Sequence, residues 1–162
     1  MSDRTRLEVP TPERMREVGA AIGRIARAGD VIVLSGDLGA GKTTLTQGIG
    51  KGLGIDEQVT SPTFVISRVH ANPGVGPDLI HVDAYRLESL DEVVDLDLES
   101  EVDYGVTVVE WGEGKVDMLH DSRIVLRILR SDDPGDDART IEFEPVSGHW
   151  VTDDLAALAG PA

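Results

Sequence analysis

A glycine-rich segment, residues 36–43, is the part of the sequence whose residue types and spacing best predict chemistry. It reads Gly-Asp-Leu-Gly-Ala-Gly-Lys-Thr and fits G-x-x-x-x-G-K-[ST], the pattern of a phosphate-binding P-loop. The backbone N–H groups of such a loop and the positive end of the following helix form an anion site. Lys42 would reach the β- and γ-phosphates of a nucleotide, and the Thr43 hydroxyl would be a ligand of Mg²⁺. The motif therefore predicts a site for a Mg²⁺–nucleotide complex.

Two acidic residues, Asp83 and Glu110, are candidates for metal binding or water positioning beside this loop. Apolar, strand-like runs precede them, residues 79–82 and residues 106–109. A carboxylate at the end of a strand suits a P-loop enzyme, where it holds Mg²⁺, directly or through water, or orients the attacking water. Spacing does not assign the two roles between the two acids. Asp83 fits the N-cap of a following helix equally well.

A hydroxyl-rich segment, residues 60–64, follows the helix that is expected after the glycine loop. It contains Ser61 and Thr63, and its Ser-Pro pair favours a turn. Nucleotide-sensing switch loops often lie at this position. Spacing favours a plain helix-to-strand connection instead.

The elements needed to position the glycine loop are present on both sides of it. Residues 31–34 form a short β-branched run typical of a buried parallel strand. Residues 43–53 repeat apolar side chains every fourth position and predict a helix. Upstream, Thr11 as N-cap and Pro12 at the first helical position predict the start of another helix, which Gly29 ends.

The rest of the chain predicts strands, two hairpins and a last short helix. They are an edge strand at 4–9, a hairpin of 64–69 with 79–83, a strand at 106–111, a hairpin of 123–130 with 139–144, and a helix within 147–158. We therefore expect one α/β domain over residues 1–162, with flexible ends at 1–10 and 157–162. Its central sheet should be mostly parallel and flanked by helices, with an antiparallel hairpin near the C-terminus.

Charge and composition narrow the classes of function. The 162 residues include 30 acids and 15 bases, for a net charge of −15, so the chain lacks the basic surface of an autonomous nucleic-acid binder. The absence of cysteine excludes disulfides and cysteine-ligated metals. No signal-peptide pattern and no apolar run of about 18 residues are found, so we expect a cytoplasmic protein without membrane contact. Residues 88–103, with eight acids and no base, predict a solvated acidic face or a docking surface for a partner.

Four motifs in the same order resemble the TsaE (YjeE) family, bacterial ATPases needed for the threonylcarbamoyladenosine modification of tRNA. They are residues 36–44, Ser-Pro-Thr-Phe at 61–64, His-Val-Asp-Ala-Tyr-Arg-Leu at 81–87 and Val-Glu-Trp at 109–111. The resemblance implies a P-loop NTPase fold, binding of Mg-ATP and weak hydrolysis of ATP. It also implies work with the partner proteins TsaD and TsaB, with tRNA reached only through that complex.

The resemblance also implies roles for individual residues. Lys42 would be the phosphate-binding lysine, Thr43 and Glu110 the Mg²⁺ ligands, and Asp83 the catalytic acid that positions or activates water. Ser61 and Thr63 would lie in a switch-like loop. The residues expected to contact ATP are Thr11, Gly36, Asp37, Leu38, Gly39, Ala40, Gly41, Lys42, Thr43 and Thr44.

Two other functions are compatible with these motifs. A small-molecule P-loop kinase needs an arginine-bearing lid over the transferred phosphoryl group, whereas residues 88–103 are acidic. A nucleotide-gated binding module would hydrolyse little ATP and use its acidic surface for docking. The guanine-reading N-K-x-D of GTPases is absent.

Overall fold

Strands and helices alternate along the computed structural model, which describes residues 5–36, 41–55, 67–74, 76–83, 105–110, 122–130 and 138–152. The elements are β1 (Thr5–Val9), α1 (Pro12–Ile25), β2 (Asp30–Gly36), α2 (Lys42–Leu53), β3 (Ser67–His70), β4 (Asp78–Asp83), β5 (Gly105–Glu110), β6 (Ser122–Arg130), β7 (Arg139–Pro145) and α3 (His149–Thr152).

The strands form one seven-stranded sheet in the order β1-β7-β6-β2-β5-β4-β3. Strand β2 is parallel to β5 and β6, and β4 is parallel to β5. The pairs β1–β7, β6–β7 and β3–β4 are antiparallel. The prediction of a mostly parallel sheet was therefore wrong: the sheet is mixed, with a parallel centre and antiparallel strands at both edges. Short connections precede β4 and β7 and return the chain antiparallel, whereas a parallel neighbour needs a long crossover. The antiparallel pair that local patterns did not predict is β1–β7, which joins distant parts of the chain.

Most of the predicted elements are confirmed where the structure describes them. Both predicted hairpins are present, as β3–β4 and β6–β7. Residues 5–9, predicted both as an edge strand and as part of a flexible end, form β1 and pair with β7. The last helix is described only as α3. The acidic stretch 88–103 lies outside the described residues, so its predicted role stays a prediction.

The parallel centre of the sheet is buried on both faces, as parallel strands generally are. On one face, Ile32, Leu34 and Val108 belong to the same core cluster as apolar side chains of α1 and α2. On the other face, Val31 and Val109 are also fully buried. The strand ends that carry the predicted site are thus set in a rigid layer.

Helices α1 and α2 are in direct backbone contact, which places their N-termini side by side. A Cβ atom on Gly48 or Gly52 of α2 would overlap the carbonyl oxygen of Arg16 or Ala20 of α1, so only glycine permits this approach. At Gly41, the residue just before α2, an added Cβ atom would lie 3.3 Å from the terminal methyl group of Met15. The start of α1 is therefore held against the end of the glycine loop.

The amino end of β2, opposite to the glycine loop, is fixed by a buried carboxylate. Asp30 is 2% exposed and accepts hydrogen bonds from the Ser122 hydroxyl at 2.7 Å and the Arg27 N–H at 2.7 Å. The ring of His149 also contacts this carboxylate, with 2.6 Å between His149 Nε2 and Asp30 Oδ2. These contacts join β2, β6 and α3, and they satisfy a charge that would be costly to bury without partners.

In the part of the chain that the structure describes, none of the helices combines the length and the apolar character required to cross a lipid bilayer.

Candidate functional site

The glycine loop leads from the carboxyl end of β2 to the start of α2. Strand β2 ends at Gly36, and Gly41 is the N-cap of α2 with a φ of 114°, a left-handed conformation that favours glycine. The N-cap residue Gly41 makes no side-chain cap hydrogen bond, and the first turn of α2 carries no acidic residue. The N–H groups of a helix start and the helix dipole attract an anion. Residues 37–40 lie outside the described part, so their predicted contacts with ATP stay predictions.

Lys42 places a buried ammonium group at this terminus. The residue is 6% exposed, and its Nζ donates a hydrogen bond of 2.8 Å to the carbonyl oxygen of Gly36. This bond joins the last residue of β2 to the first residue of α2 across the predicted loop. A cation at the positive end of a helix and out of water is an environment that suits the binding of a phosphate.

Thr43 and Thr44 follow Lys42 in the first turn of α2 and are half-buried. Their predicted contacts with Mg²⁺ and ATP therefore fall beside the same helix terminus as Lys42. Ser61 and Thr63 lie outside the described residues, and their predicted switch role stays a prediction.

The two predicted acids are brought to the same edge of the sheet. Strand β4 ends at Asp83 and β5 ends at Glu110, as the sequence indicated. These two residues are in register with each other, and Glu110 is in register with Leu34, two residues before Gly36. The side chain of Asp83 is not among the described parts. The backbones of both acids thus lie at the carboxyl end of the parallel strands, where open α/β sheets bind ligands.

Glu110 is buried and held by a histidine that the sequence analysis gave no role. Glu110 is 5% exposed, and His81 is fully buried. The distance between His81 Nε2 and Glu110 Oε2 is 2.6 Å, a charge-assisted contact if the ring nitrogen donates to the carboxylate. A single signal was available in the sequence: His81 is the one polar residue in the apolar run 79–82.

Thr11, predicted near the adenine, has a structural role at the start of α1. Its hydroxyl accepts a hydrogen bond of 3.1 Å from the Arg14 N–H and so caps the helix. The backbone contact of α1 with α2 and the proximity of Met15 to Gly41 place this cap on the side of the predicted loop. Whether Thr11 also contacts a nucleotide stays a prediction.

Replacing Thr11 by alanine should lower the free energy of unfolding by about 1 kcal/mol, because an N–H at the start of α1 loses its acceptor. Urea unfolding checks this value. Thr11→Ser retains the oxygen and should stay close to the unchanged protein. Equal destabilisation by serine and alanine would contradict the capping role and indicate that the methyl group matters instead.

Among the described residues, no group of three or more histidine, cysteine or acidic side chains is arranged to hold a metal ion. Mg²⁺ is usually held by one or two protein oxygens together with phosphates and water. The Glu110 carboxylate and the Thr43 hydroxyl are donors of that kind.

Comparison with known proteins gives one consistent family. The family model described as "Threonylcarbamoyl adenosine biosynthesis protein TsaE" matches residues 9–141. A protein of Streptomyces coelicolor named tRNA threonylcarbamoyladenosine biosynthesis protein TsaE is 53% identical over 148 residues, which is 90% of this chain and 100% of that protein. The Bacillus subtilis protein of the same name is 42% identical over 140 residues, or 86% of this chain and 84% of the relative.

A solved structure agrees with these matches. The crystal structure of YdiB from Bacillus subtilis superposes with a TM-score of 0.72 at 33% sequence identity, covering 98% of this chain and 96% of YdiB.

Proposed function

The chain belongs to the TsaE family, and from this premise we propose that it is an ATPase with a P-loop NTPase fold in the biosynthesis of threonylcarbamoyladenosine in tRNA. It binds Mg-ATP, hydrolyses it slowly alone, and works with the partner proteins TsaD and TsaB. It reaches tRNA only through them. Residues 1–162 form a single ATPase domain.

The observation that carries this proposal is the buried ammonium of Lys42 at the start of α2, whose N-cap residue is a glycine. A helix terminus with a glycine N-cap and no first-turn acid offers N–H donors to an anion. Lys42 adds a positive charge at the same place, on the motif that cradles nucleotide phosphates. Lys42 closes the turn through its bond to the Gly36 carbonyl, and the same ammonium group suits the binding of phosphate oxygens.

The residues present at this end of the sheet can supply the contacts that a bound Mg-ATP complex needs. The N–H groups at the start of α2 and the Lys42 ammonium suit the phosphates, and the Thr43 hydroxyl and the Glu110 carboxylate suit Mg²⁺. A bound Mg²⁺ neutralises negative charge on the β- and γ-phosphates. Both protein oxygens belong to elements that meet at the carboxyl end of β2.

The proposed steps use the chain's own groups. Lys42 binds the phosphate oxygens and keeps the γ-phosphate in place. Asp83, which ends β4 in register with Glu110, accepts a hydrogen bond from water and orients it for in-line attack. Ser61 and Thr63 belong to a segment whose conformation changes when the γ-phosphate leaves, as in other order–disorder switches. The partner complex responds to that change.

Phosphate release from Mg-ATP tests this function, measured for the chain alone and with TsaD and TsaB added. We expect slow release by the chain alone, faster release with the pair, and none from Lys42→Ala. Lys51→Ala, an exposed lysine at the other end of α2, is the matched control and should behave like the unchanged protein. An absence of any effect of the pair would contradict the proposal. ADP formation from ATP and a metabolite mixture without free phosphate would instead identify a kinase.

A further inference from the structure

We propose that His81 is a positioning residue that orients the Glu110 carboxylate for binding of the Mg²⁺–nucleotide complex. The inference rests on the proposed function, and it assigns a role to a side chain that neither the P-loop nor the strand-end acids include. The juxtaposition that carries it is a fully buried imidazole in contact with a nearly buried carboxylate at the carboxyl end of the sheet.

The contact follows from the register of two parallel strands. His81 of β4 pairs with Val108 of β5, so Glu110 lies two positions further along β5 on the same face. The ring nitrogen of His81 then reaches the carboxylate across one strand spacing, at 2.6 Å. Because the strands fix both backbones, the hydrogen bond restricts the remaining freedom of the glutamate side chain.

The direction of the hydrogen bond follows from the chemistry of the two groups. A carboxylate accepts, so the ring proton belongs on Nε2. The other ring nitrogen, Nδ1, is buried and has no hydrogen-bond partner among the residues that the structure describes. The ring therefore bonds Glu110 through one nitrogen and leaves its other nitrogen buried without a described partner.

An imidazole at this position is costly if its purpose is packing. The neighbours of His81 on the same face of the sheet, Leu79 of β4 and Val108 of β5, are apolar and buried. A leucine or phenylalanine would fill the space without burying a polar nitrogen. A buried imidazole is useful here if it holds the Glu110 carboxylate in one orientation. Partners that hydrogen-bond metal-binding carboxylates orient them, and their loss typically lowers metal affinity about 10- to 100-fold.

The test compares metal affinity with nucleotide affinity in the same variants. Mn²⁺ replaces Mg²⁺, and its dissociation constant from the protein–ATP complex is measured by electron paramagnetic resonance. ATP affinity is measured separately in the presence of a chelator. His81→Leu should raise the Mn²⁺ dissociation constant about 10-fold or more and leave ATP affinity in chelator nearly unchanged. His81→Gln can place an amide N–H close to the position of Nε2 and should recover most of the Mn²⁺ affinity.

Two further variants complete the comparison. Thr107→Val changes another fully buried polar residue of β5, on the opposite face from Glu110, and should leave both affinities unchanged. Glu110→Ala should weaken Mn²⁺ binding at least as much as His81→Leu does. If His81→Leu does not fold, His81→Asn replaces it, because the asparagine amide is too short to reach the carboxylate.

The outcomes separate this inference from the proposed function. Loss of Mn²⁺ affinity in the donor-lacking variant and its recovery in His81→Gln support the positioning role. Unchanged Mn²⁺ affinity in the donor-lacking variant, with loss in Glu110→Ala, overturns the role of His81 and leaves the proposed function intact. Unchanged affinity in Glu110→Ala overturns the metal site and the positioning role together. Equal loss in the donor-lacking variant and in His81→Gln overturns positioning and indicates packing.

Discussion

Replacing Lys42 by alanine is expected to weaken ATP binding roughly 100- to 1000-fold. The ammonium group would contact more than one phosphate, and hydrogen bonds to charged groups contribute about 1.5–3 kcal/mol each. The structure adds a second reason. Lys42 Nζ bonds the Gly36 carbonyl across the loop, so the substitution also removes the contact that joins β2 to the start of α2. Isothermal titration calorimetry with ATP measures the change.

The control for this variant is Lys51→Ala, on the same helix and exposed to solvent. It should keep the affinity of the unchanged protein. A ligand that binds only the folded state raises the melting temperature, so added ATP should stabilise Lys51→Ala and leave Lys42→Ala without a measurable shift. Unaltered ATP affinity in Lys42→Ala would contradict the assignment of the glycine loop as a phosphate site.

Replacing Gly48 by alanine is expected to lower the free energy of unfolding by about 3 kcal/mol, within the range for overpacking a well-packed core. In an ordinary helix the same change is favourable by roughly 0.5–1 kcal/mol. Here the sign reverses, because the new methyl group would overlap the backbone carbonyl of Arg16 on α1. Backbone atoms on rigid helices cannot move aside as a flexible side chain can. Urea unfolding followed by circular dichroism gives the value.

Gly74→Ala serves as the matched substitution. Gly74 is exposed, and the nearest atom to its added Cβ would be Asn72 Oδ1 at 3.5 Å, an ordinary contact distance. Its stability should stay within about 1 kcal/mol of the unchanged protein. Stabilisation by Gly48→Ala would contradict the direct backbone contact of α1 with α2. Loss of that contact should also weaken ATP binding, since it holds α1 against the end of the loop.

Local patterns predicted the parts of the fold that local chemistry determines. Thr11 and Pro12 marked the start of α1, and the two hairpins followed from turn residues between alternating runs. The order of the strands was beyond reach, because β1 pairs with β7 from the far end of the chain. The balance of parallel and antiparallel pairs depends on that order, which is why the sheet was predicted as mostly parallel.

The sequence likewise identified some residues of the candidate site and missed others. The glycine loop and the strand ends at Asp83 and Glu110 could be identified because each motif is continuous in sequence. The contact between His81 and Glu110 could not, since it depends on the register of β4 with β5. A shift of one residue in that register would turn one of the two side chains to the other face.

The carboxylate of Asp30 has a consequence for the way this protein folds during synthesis. The strand that leads into the glycine loop leaves the ribosome early, but one of its partners, His149, is 119 residues further along. Ser122, which also bonds Asp30, is 92 residues away. Translation at about 5–20 residues per second therefore leaves the first parallel strand without these two partners for several seconds. During this interval the glycine-rich segment has been synthesised, but the sheet that supports it is not yet complete.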